Sequence, residues 1–399
     1  MSTRVSDGGE KLVVGDRIEV EVGNIAHGGH FIAKHNGQVI FVRHGITGEK
    51  VLIEITATSS KVVRADVVEV IEASPARVTP PCKYAHPGGC GGCDFQHIDV
   101  AFQRELKRRV VIEQFSRLGG LEVELDVKAV EPSSGLHWRT RMDFAISKNG
   151  HLGLYGNRSN DVVEIDDCLI AVEAMKVSEV AARKWSGSER VEIAVSSKKQ
   201  VNLSRAGRSI SGPTELTEEV NGLTYSVSAP SFWQSHVKAP STLVTEAMSL
   251  LGLKDGDVVC DLYGGVGLFA AAMSKRVGAN GKVHLIELDK RATADAKKGF
   301  AATKNVEVHI GRVETELRKI SKADVLLLDP PRTGAGKEVV DQALRLRPRT
   351  IVYVSCDPGT LARDSRALVE GGYSIQHLVG YDLFPMTAHI ECVTQFTRE

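Results

Sequence analysis

The chain has 399 residues, which is long for a single domain and predicts two or three. Lys and Arg together number 50, as do Asp and Glu, so the zero net charge neither supports nor excludes a nucleic-acid partner. No apolar run approaches the roughly 18 residues that a membrane span needs, and residues 1–10 lack the apolar segment of a signal peptide. We therefore predict a cytoplasmic protein without a membrane partner.

Residues 1–10 are polar and are predicted to form a disordered tail. From residue 11 to residue 73, short apolar runs are separated by Gly and Asn, a pattern typical of a small β-barrel. Barrels of this kind often bind RNA, although a spacer module would show the same pattern. We place a central α+β domain at residues 74–225 and a third domain at residues 226–399.

The cysteines indicate a metal site or a catalytic role rather than disulfides, since there are seven in a long chain that we expect in the cytosol. Cys82, Cys90 and Cys93 lie close together in a stretch rich in Gly and Pro, and Cys168 lies far downstream. Three neighbouring thiolates and a distant fourth can hold either a 4Fe-4S cluster or a structural zinc ion. Their spacing alone does not distinguish the two.

Basic residues occur in two places in the central region. Residues 99–118 are predicted to form a helix whose charged residues are typical of a solvated face; they are Arg104, Lys107, Arg108 and Arg109. Arg139 and Arg141 are two residues apart on a strand-like run, so they share a face. These two can hold RNA phosphates or make ordinary surface ion pairs.

In the third domain, apolar strands alternate with helices, which predicts a doubly wound, mostly parallel α/β sheet. The parallel strands are predicted at residues 258–262, 282–288, 306–310, 325–328 and 351–355. Two further strands, residues 376–383 and 390–396, have no long helix between them and are predicted to form an antiparallel hairpin.

Unusual polar residues stand at the ends of three of these strands. Asp261 ends the first, Asp329 follows the fourth, and Cys356 follows the fifth. In an open α/β sheet, ligands bind just outside the carboxyl ends of the strands. Taken alone, Cys356 is more typical of a packed core cysteine. With these neighbours at the same edge, we interpret it as a catalytic nucleophile.

A glycine-rich turn, Gly264-Gly265-Val266-Gly267, precedes an apolar helix, and Glu287 ends the next strand. This combination predicts an adenosine-type ligand whose ribose hydroxyls contact Glu287. The turn also satisfies a loose dinucleotide fingerprint. However, Asp261 would repel a pyrophosphate, and the rigid loop Asp329-Pro330-Pro331 suits a substrate base. S-adenosylmethionine has no phosphate and carries a cationic sulfonium, so it suits acidic walls better.

Together these features resemble the RNA (uracil-5-)-methyltransferase family, whose members modify ribosomal and transfer RNA. Residues 11–73 are similar to its TRAM domain, and the third domain is similar to its class I methyltransferase sheet. The resemblance implies ligands of a 4Fe-4S cluster at Cys82, Cys90, Cys93 and Cys168. It implies contacts with S-adenosylmethionine at Gln234, Tyr263, Gly265, Glu287 and Asp329. It also implies a nucleophile at Cys356, within Ser355-Cys356-Asp357-Pro358, and a general base at Glu391, within His389-Ile390-Glu391.

The chain departs from the family's pattern at three points. Seven residues separate Cys82 from Cys90 where five are common, so this loop is longer but can still close. Asp357 replaces the usual Asn beside the nucleophile, which changes the hydrogen bonding there. Leu268 stands where some relatives have a polar residue that contacts the cofactor. None of these changes removes a catalytic group.

The resemblance implies a monomer that methylates carbon 5 of a uridine in RNA. It favours 23S ribosomal RNA over transfer RNA, because a TRAM domain and a cysteine cluster accompany many of the ribosomal RNA enzymes. Two other functions stay open. Methylation of an exocyclic amine on adenine or cytosine usually needs an aromatic residue where this chain has Arg332. A non-catalytic RNA-binding or redox-sensing protein would not need the intact set Gln234, Asp329, Cys356 and Glu391.

Overall fold

The computed structural model describes residues 11–60 and 62–398, so the tail predicted for residues 1–10 lies outside the described residues. The described residues form four β-sheets, of five, six, two and eight strands. None of the described helices is long and apolar enough to cross a membrane.

The N-terminal sheet consists of β1 (Arg17–Glu21), β2 (Phe31–His35), β3 (Gln38–Arg43), β4 (Lys50–Thr58) and β5 (Val63–Glu72). Its strand order is β1-β4-β5-β3-β2, and β3 with β5 is its parallel pair. Alternate side chains enter one apolar core, in which Phe31, Ile40 and Ile53 are buried. Leu106 and Val110 belong to the same core, so the sheet packs against the helix that follows it.

This helix, α1 (Val100–Gln114), begins at Asp99, whose carboxylate accepts hydrogen bonds from the first helical amides. It continues as a π-helical turn, Phe115–Gly119, and stops at Gly120 in the left-handed conformation. The next strand, β6 (Val127–Ala129), leaves the central domain and joins the sheet of the third.

The prediction that Lys107 lies on a solvated face is wrong. Only 1% of its side chain is exposed, and its ammonium donates to Asp382 Oδ1 at 2.6 Å and to the Phe384 carbonyl at 3.0 Å. The cause is that α1 is covered on two sides. Leu106 faces the N-terminal core and Val111 faces the core of the third domain, so Lys107 is enclosed.

The central domain is built on a six-stranded antiparallel sheet with the order β12-β11-β10-β7-β8-β9. Its strands are β7 (Arg141–Ile146), β8 (Leu152–Tyr155), β9 (Val162–Glu164), β10 (Val191–Val195), β11 (Val201–Arg205) and β12 (Arg208–Ser211). A 3-10 turn, Glu173–Met175, and the short helix α2 (Val177–Ala181) pack on it. A separate hairpin, β13 (Glu215–Val220) with β14 (Leu223–Ser228), leads to the third domain.

The third domain alternates strands and helices along the chain. Its strands are β15 (Val258–Leu262), β16 (Lys282–Glu287), β17 (Val306–Ile310), β18 (Val325–Leu328), β19 (Thr350–Ser355), β20 (Ser374–Asp382) and β21 (Glu391–Thr397). Its helices are α3 (Ala239–Leu250), α4 (Leu268–Val277), α5 (Lys290–Gly299), α6 (Val313–Leu317), α7 (Gly336–Leu346) and α8 (Pro358–Glu370).

These elements confirm the doubly wound α/β sheet. The strand order is β17-β16-β15-β18-β19-β21-β20-β6, with β15 to β19 parallel and β20 with β21 an antiparallel hairpin, as predicted. Helices α3, α4 and α5 cover one face, and α1, α6, α7 and α8 cover the other. The sequence analysis missed β6, which is only three residues long and pairs in parallel with β20.

The buried ion pair between Lys107 and Asp382 should be necessary for stability. We expect Lys107→Met to cost about 3–5 kcal/mol, because it leaves the Asp382 carboxylate buried without a partner. The double variant with Asp382→Leu should recover most of this loss. Equilibrium urea unfolding followed by circular dichroism measures both.

Lys337→Met is the matched control, because Lys337 forms an exposed ion pair with Asp341 at 2.7 Å. It should change the free energy of unfolding by less than about 0.5 kcal/mol. If Lys107→Met were as harmless as this control, the buried pair would not hold α1 to the third domain.

Candidate active site at the strand ends

Three polar side chains meet at the carboxyl edge of the large sheet. Asp329 directly follows β18 and Cys356 directly follows β19, and these two strands are parallel neighbours. Glu391 is the first residue of β21, which runs antiparallel to β19 with Ser355 opposite Cys392. The register therefore places Glu391 beside Cys356, although the two are on strands of opposite direction.

These residues line one large cleft of about 1940 Å³. All seven catalytic and cofactor residues predicted from the sequence line it: Gln234, Tyr263, Gly265, Glu287, Asp329, Cys356 and Glu391. The glycine turn and Glu287 come from one side of the sheet's centre, and Cys356 and Glu391 come from the other. The cleft is thus long enough to seat two ligands side by side.

The glycine turn after β15 is shaped by close approaches. Tyr263, Gly265 and Gly267 all have positive φ, and a Cβ on Gly267 would lie 2.4 Å from the Phe300 ring. The Gly265 amide donates to Glu287 Oε2 at 3.0 Å, and this bond joins the turn to the end of β16. The turn and the carboxylate are therefore fixed relative to each other before any ligand binds.

Asp261 lies under this turn, not in the cleft. It is completely buried, and its Oδ2 accepts a hydrogen bond from the Ala270 amide at 2.9 Å. Burial raises the pKa of Asp261 to about 8. From its position at the end of β15, Asp261 was expected to form an acidic wall that repels a pyrophosphate. In the structure it instead supports the first turn of α4.

Cys356 and Glu391 lie in an environment that disfavours negative charge. Burial, followed by the charges of Glu391 and Asp329, raises the pKa of the Cys356 thiol to about 12. Burial and the nearby Asp329 raise the pKa of Glu391 well above its usual range. Burial also raises the pKa of Asp329 to about 7. The Arg332 guanidinium opposes the shifts of Cys356 and Glu391, so a cation in the cleft favours their ionised forms.

Gln234 bridges the two halves of the cleft, because its Nε2 donates to Asp329 Oδ2 at 3.3 Å. The segment before it is held by Arg141, whose Nη1 donates to the Ala229 and Ser231 carbonyls at 2.9 Å each. Arg141 is therefore neither a phosphate ligand nor a surface ion pair, the two roles considered from the sequence. Arg139 does line the cleft.

A contact between domains reaches Asp357, the residue after Cys356. His27 belongs to the loop before β2, and its Nε2 atom is 3.1 Å from Asp357 Oδ2. Burial raises the pKa of Asp357. The hydrogen bonds from His27 and the Thr360 amide outweigh burial and lower this pKa to about 2. The bond to Asp357 in turn raises the pKa of His27. No pattern in the sequence predicted a role for His27. The nearest indication was Asp357, which stands where the family usually has Asn.

The four predicted metal-binding cysteines line a second, small cavity of about 70 Å³. Burial raises the pKa of Cys90, Cys93 and Cys168, and the neighbouring thiols add to each shift. The Gly92 amide donates to Cys90 Sγ at 3.3 Å. Arg139 and Gly92 line both this cavity and the large cleft, so the two sites share a wall.

Comparison with known proteins agrees with this arrangement. The sequence matches the family described as tRNA (Uracil-5-)-methyltransferase over residues 191–399, and the TRAM domain over residues 11–68. A relative from Streptomyces avermitilis is 40% identical over 95% of this chain and 98% of its own. Another, from Streptomyces coelicolor, is 41% identical over 96% of this chain and 93% of its own. Both bear the name RNA methyltransferase.

A solved structure has the same fold over almost the whole chain. It is the Pyrococcus abyssi tRNA (uracil-54, C5)-methyltransferase in complex with S-adenosyl-L-homocysteine, with a TM-score of 0.72 and 22% identity over 95% of this chain and 99% of that one. The fold class and the family resemblance predicted from the sequence are thus confirmed. The chain belongs to the tRNA (uracil-5-)-methyltransferase family and is an RNA methyltransferase with an N-terminal TRAM domain.

Proposed function

We propose that this protein transfers a methyl group from S-adenosylmethionine to carbon 5 of a uridine in RNA, through a covalent intermediate on Cys356. The observation that carries the proposal is the pairing of one thiol and one carboxylate, Cys356 and Glu391, in the same cleft as the glycine turn and Glu287. Methylation of an exocyclic amine would use neither the thiol nor a base paired with it.

The cofactor's end of the cleft is built by Gly265, Tyr263 and Glu287, with Gln234 and Asp329 toward the catalytic pair. Glu287 suits ribose hydroxyls, because a carboxylate accepts hydrogen bonds from both. These five residues include two carboxylates, Glu287 and Asp329, and no basic group. Such a lining suits a cationic sulfonium. S-adenosylmethionine, when bound, supplies an electrophilic methyl group and a positive charge.

The chemistry requires a nucleophile because carbon 5 of uracil does not attack a methyl group unaided. The Cys356 thiolate bonds to carbon 6, which gives carbon 5 the character of a carbanion. After carbon 5 has taken the methyl group, Glu391 removes the proton from carbon 5. The bond between carbon 6 and sulfur then breaks, and the double bond of the ring is restored.

We propose that Cys82, Cys90, Cys93 and Cys168 hold a 4Fe-4S cluster. All four cysteines line one small cavity, and burial raises the pKa of Cys90, Cys93 and Cys168, so the site is enclosed. Four cysteine thiolates are the usual ligand set of a 4Fe-4S cluster. It would join residues 82–93 to Cys168 and support the wall of the cleft that contains Arg139.

For the RNA, we propose 23S ribosomal RNA, on the combined presence of a TRAM domain and a cysteine cluster. Transfer RNA is the second candidate. It is favoured by the fold of the Pyrococcus abyssi tRNA (uracil-54, C5)-methyltransferase, which matches almost all of this chain. The two candidates share the same chemistry, so the experiment below distinguishes them by the RNA that is trapped.

The proposed mechanism predicts a trapped adduct with RNA that contains 5-fluorouridine. Fluorine cannot leave as a cation, so Glu391 has no proton to remove and the bond between Cys356 and carbon 6 should persist. Cluster-loaded protein, S-adenosylmethionine and cellular RNA substituted with 5-fluorouridine should give a complex that survives denaturing electrophoresis. Sequencing the trapped RNA identifies the target uridine.

Two variants control this experiment. Cys356→Ala should form no adduct while still binding S-adenosylmethionine. Glu391→Gln should lower methylation by about 10²–10⁴-fold and retain an adduct even with ordinary uridine. A wild-type protein that binds the cofactor but forms no adduct would exclude the covalent mechanism.

The thiol's environment predicts an alkaline pH dependence for its reactivity. Because the pKa of Cys356 is raised to about 12, alkylation by iodoacetamide should be slow at neutral pH and should still be accelerating at about pH 10. Glu391→Gln should speed alkylation at the alkaline end of this range, where Glu391 is ionised, because it removes the charge that contributes most to the shift after burial. Mass spectrometry of the Cys356 peptide measures the rate. An equal rate in both proteins would contradict this electrostatic account.

The cluster is tested by iron and acid-labile sulfide analysis of protein purified without oxygen. We expect about four irons and four sulfides per chain, and their loss in Cys168→Ser. Cys260→Ser is the matched control, because Cys260 is a buried cysteine of β15 outside this cavity. Stoichiometric zinc without iron would show that the site holds the other metal.

A further inference from the structure

Two histidines and a glutamate lie together at the outer edge of the large sheet, away from the cysteine cavity and not among the residues that line the cleft. His284 is on β16, and Glu307 and His309 are on β17. The two strands are parallel, with His284 opposite Glu307. Because residues two apart on a strand share a face, His309 projects on the same side as Glu307.

The potential ligand atoms converge. His284 Nδ1 lies 2.9 Å from His309 Nε2. Glu307 Oε2 lies 3.8 Å from His284 Nδ1, and Glu307 Oε1 lies 3.8 Å from His309 Nε2. Two ligands that are each about 2.1 Å from a tetrahedral zinc ion are about 3.4 Å apart. The observed separations lie on both sides of that value, so small side-chain movements suffice to seat one ion.

We propose that His284, Glu307 and His309 bind one divalent transition-metal ion of the zinc class. Imidazole nitrogen and carboxylate oxygen are ligands that zinc accepts, and three protein ligands leave a fourth position for water. The rings are largely covered, with 12% and 19% of the His284 and His309 side chains exposed, while Glu307 is 49% exposed. An ion can therefore enter past the carboxylate and bind against the two largely covered rings.

Lys282 competes for the carboxylate. Its ammonium lies 2.6 Å from Glu307 Oε2, on the same strand as His284. This leaves Oε1, the oxygen nearer to His309, for the ion. The lysine therefore lowers the affinity of the site without occupying its centre, and it offers a variant that tests the geometry directly.

The ion would connect two strands that lead into the cofactor's end of the cleft. β16 ends at Glu287, three residues after His284, and Arg312, which lines the cleft, follows β17. β17 is the outermost strand of its sheet, paired on one side only. A bridge across this pair would hold the edge of the sheet in place beside the adenosine site.

Zinc binding to the full-length, cluster-loaded protein tests the proposal, with a chromophoric chelator as competitor. We expect one Zn²⁺ per chain, weakened at least about tenfold in His309→Ala and in Glu307→Gln. Lys282→Ala is the matched control on the same strand, and it should bind Zn²⁺ more tightly than the wild type. Equal binding by the wild type and His309→Ala would overturn the site.

X-ray absorption at the zinc edge gives a readout that does not depend on the folding of any variant. The wild-type complex should show nitrogen and oxygen at about 2.0–2.1 Å with two imidazole rings. Sulfur in the first coordination shell would show that zinc had entered the cysteine cavity, and it would overturn the assignment. The iron of the cluster does not contribute at this edge.

Discussion

The antiparallel pairing of β19 with β21 is the constraint on which the proposed catalytic pair, Cys356 and Glu391, depends. Parallel strands deliver their last residues to one edge of a sheet, which is how Asp329 and Cys356 come to be neighbours. A base must approach the same edge, and a strand of opposite direction brings its first residue there. Because Ser355 pairs with Cys392, Glu391 is set beside Cys356 without any loop between them. The two groups are therefore held by sheet hydrogen bonds, which fix their separation more firmly than loops would.

The same arrangement places three groups that can carry negative charge in one buried site. Burial and mutual repulsion raise the pKa values of Cys356 and Glu391, and burial raises that of Asp329. A raised pKa favours the protonated form of the Cys356 thiol. A positive charge bound in the cleft reverses this balance, because it favours the thiolate and the carboxylates together. We infer that the acidic walls couple activation of the nucleophile to the arrival of a cationic cofactor, so that the thiol stays inert in its absence.

Much of the site was predictable because strand ends are visible in sequence. Apolar runs of four to six residues mark β18 and β19, and the polar residue after each must lie at the shared edge. Glu391 could not be placed in this way, because the residues around it do not predict which strand β21 pairs with or in which direction. Its role was predicted from the family resemblance alone. Lys107 and Arg141 were wrongly expected at the surface. Each is enclosed by a neighbouring part of the chain, and a local charge pattern holds no information about what covers it.

The contact between His27 and Asp357 connects the N-terminal domain to the third domain beside Cys356. Asp357 follows Cys356, the proposed nucleophile, and caps α8, so a shift of its carboxylate would move the chain beside Cys356. An Asn here would offer His27 only a neutral hydrogen bond. The carboxylate raises the pKa of His27, so the ionic form of the contact is favoured below the usual histidine pKa and is lost as the pH rises above the raised value. His27 is 41% exposed, so solvent screens this contact and its strength is modest. The contact nevertheless joins the TRAM domain, the part of the chain suited to RNA, directly to the segment that carries the proposed nucleophile.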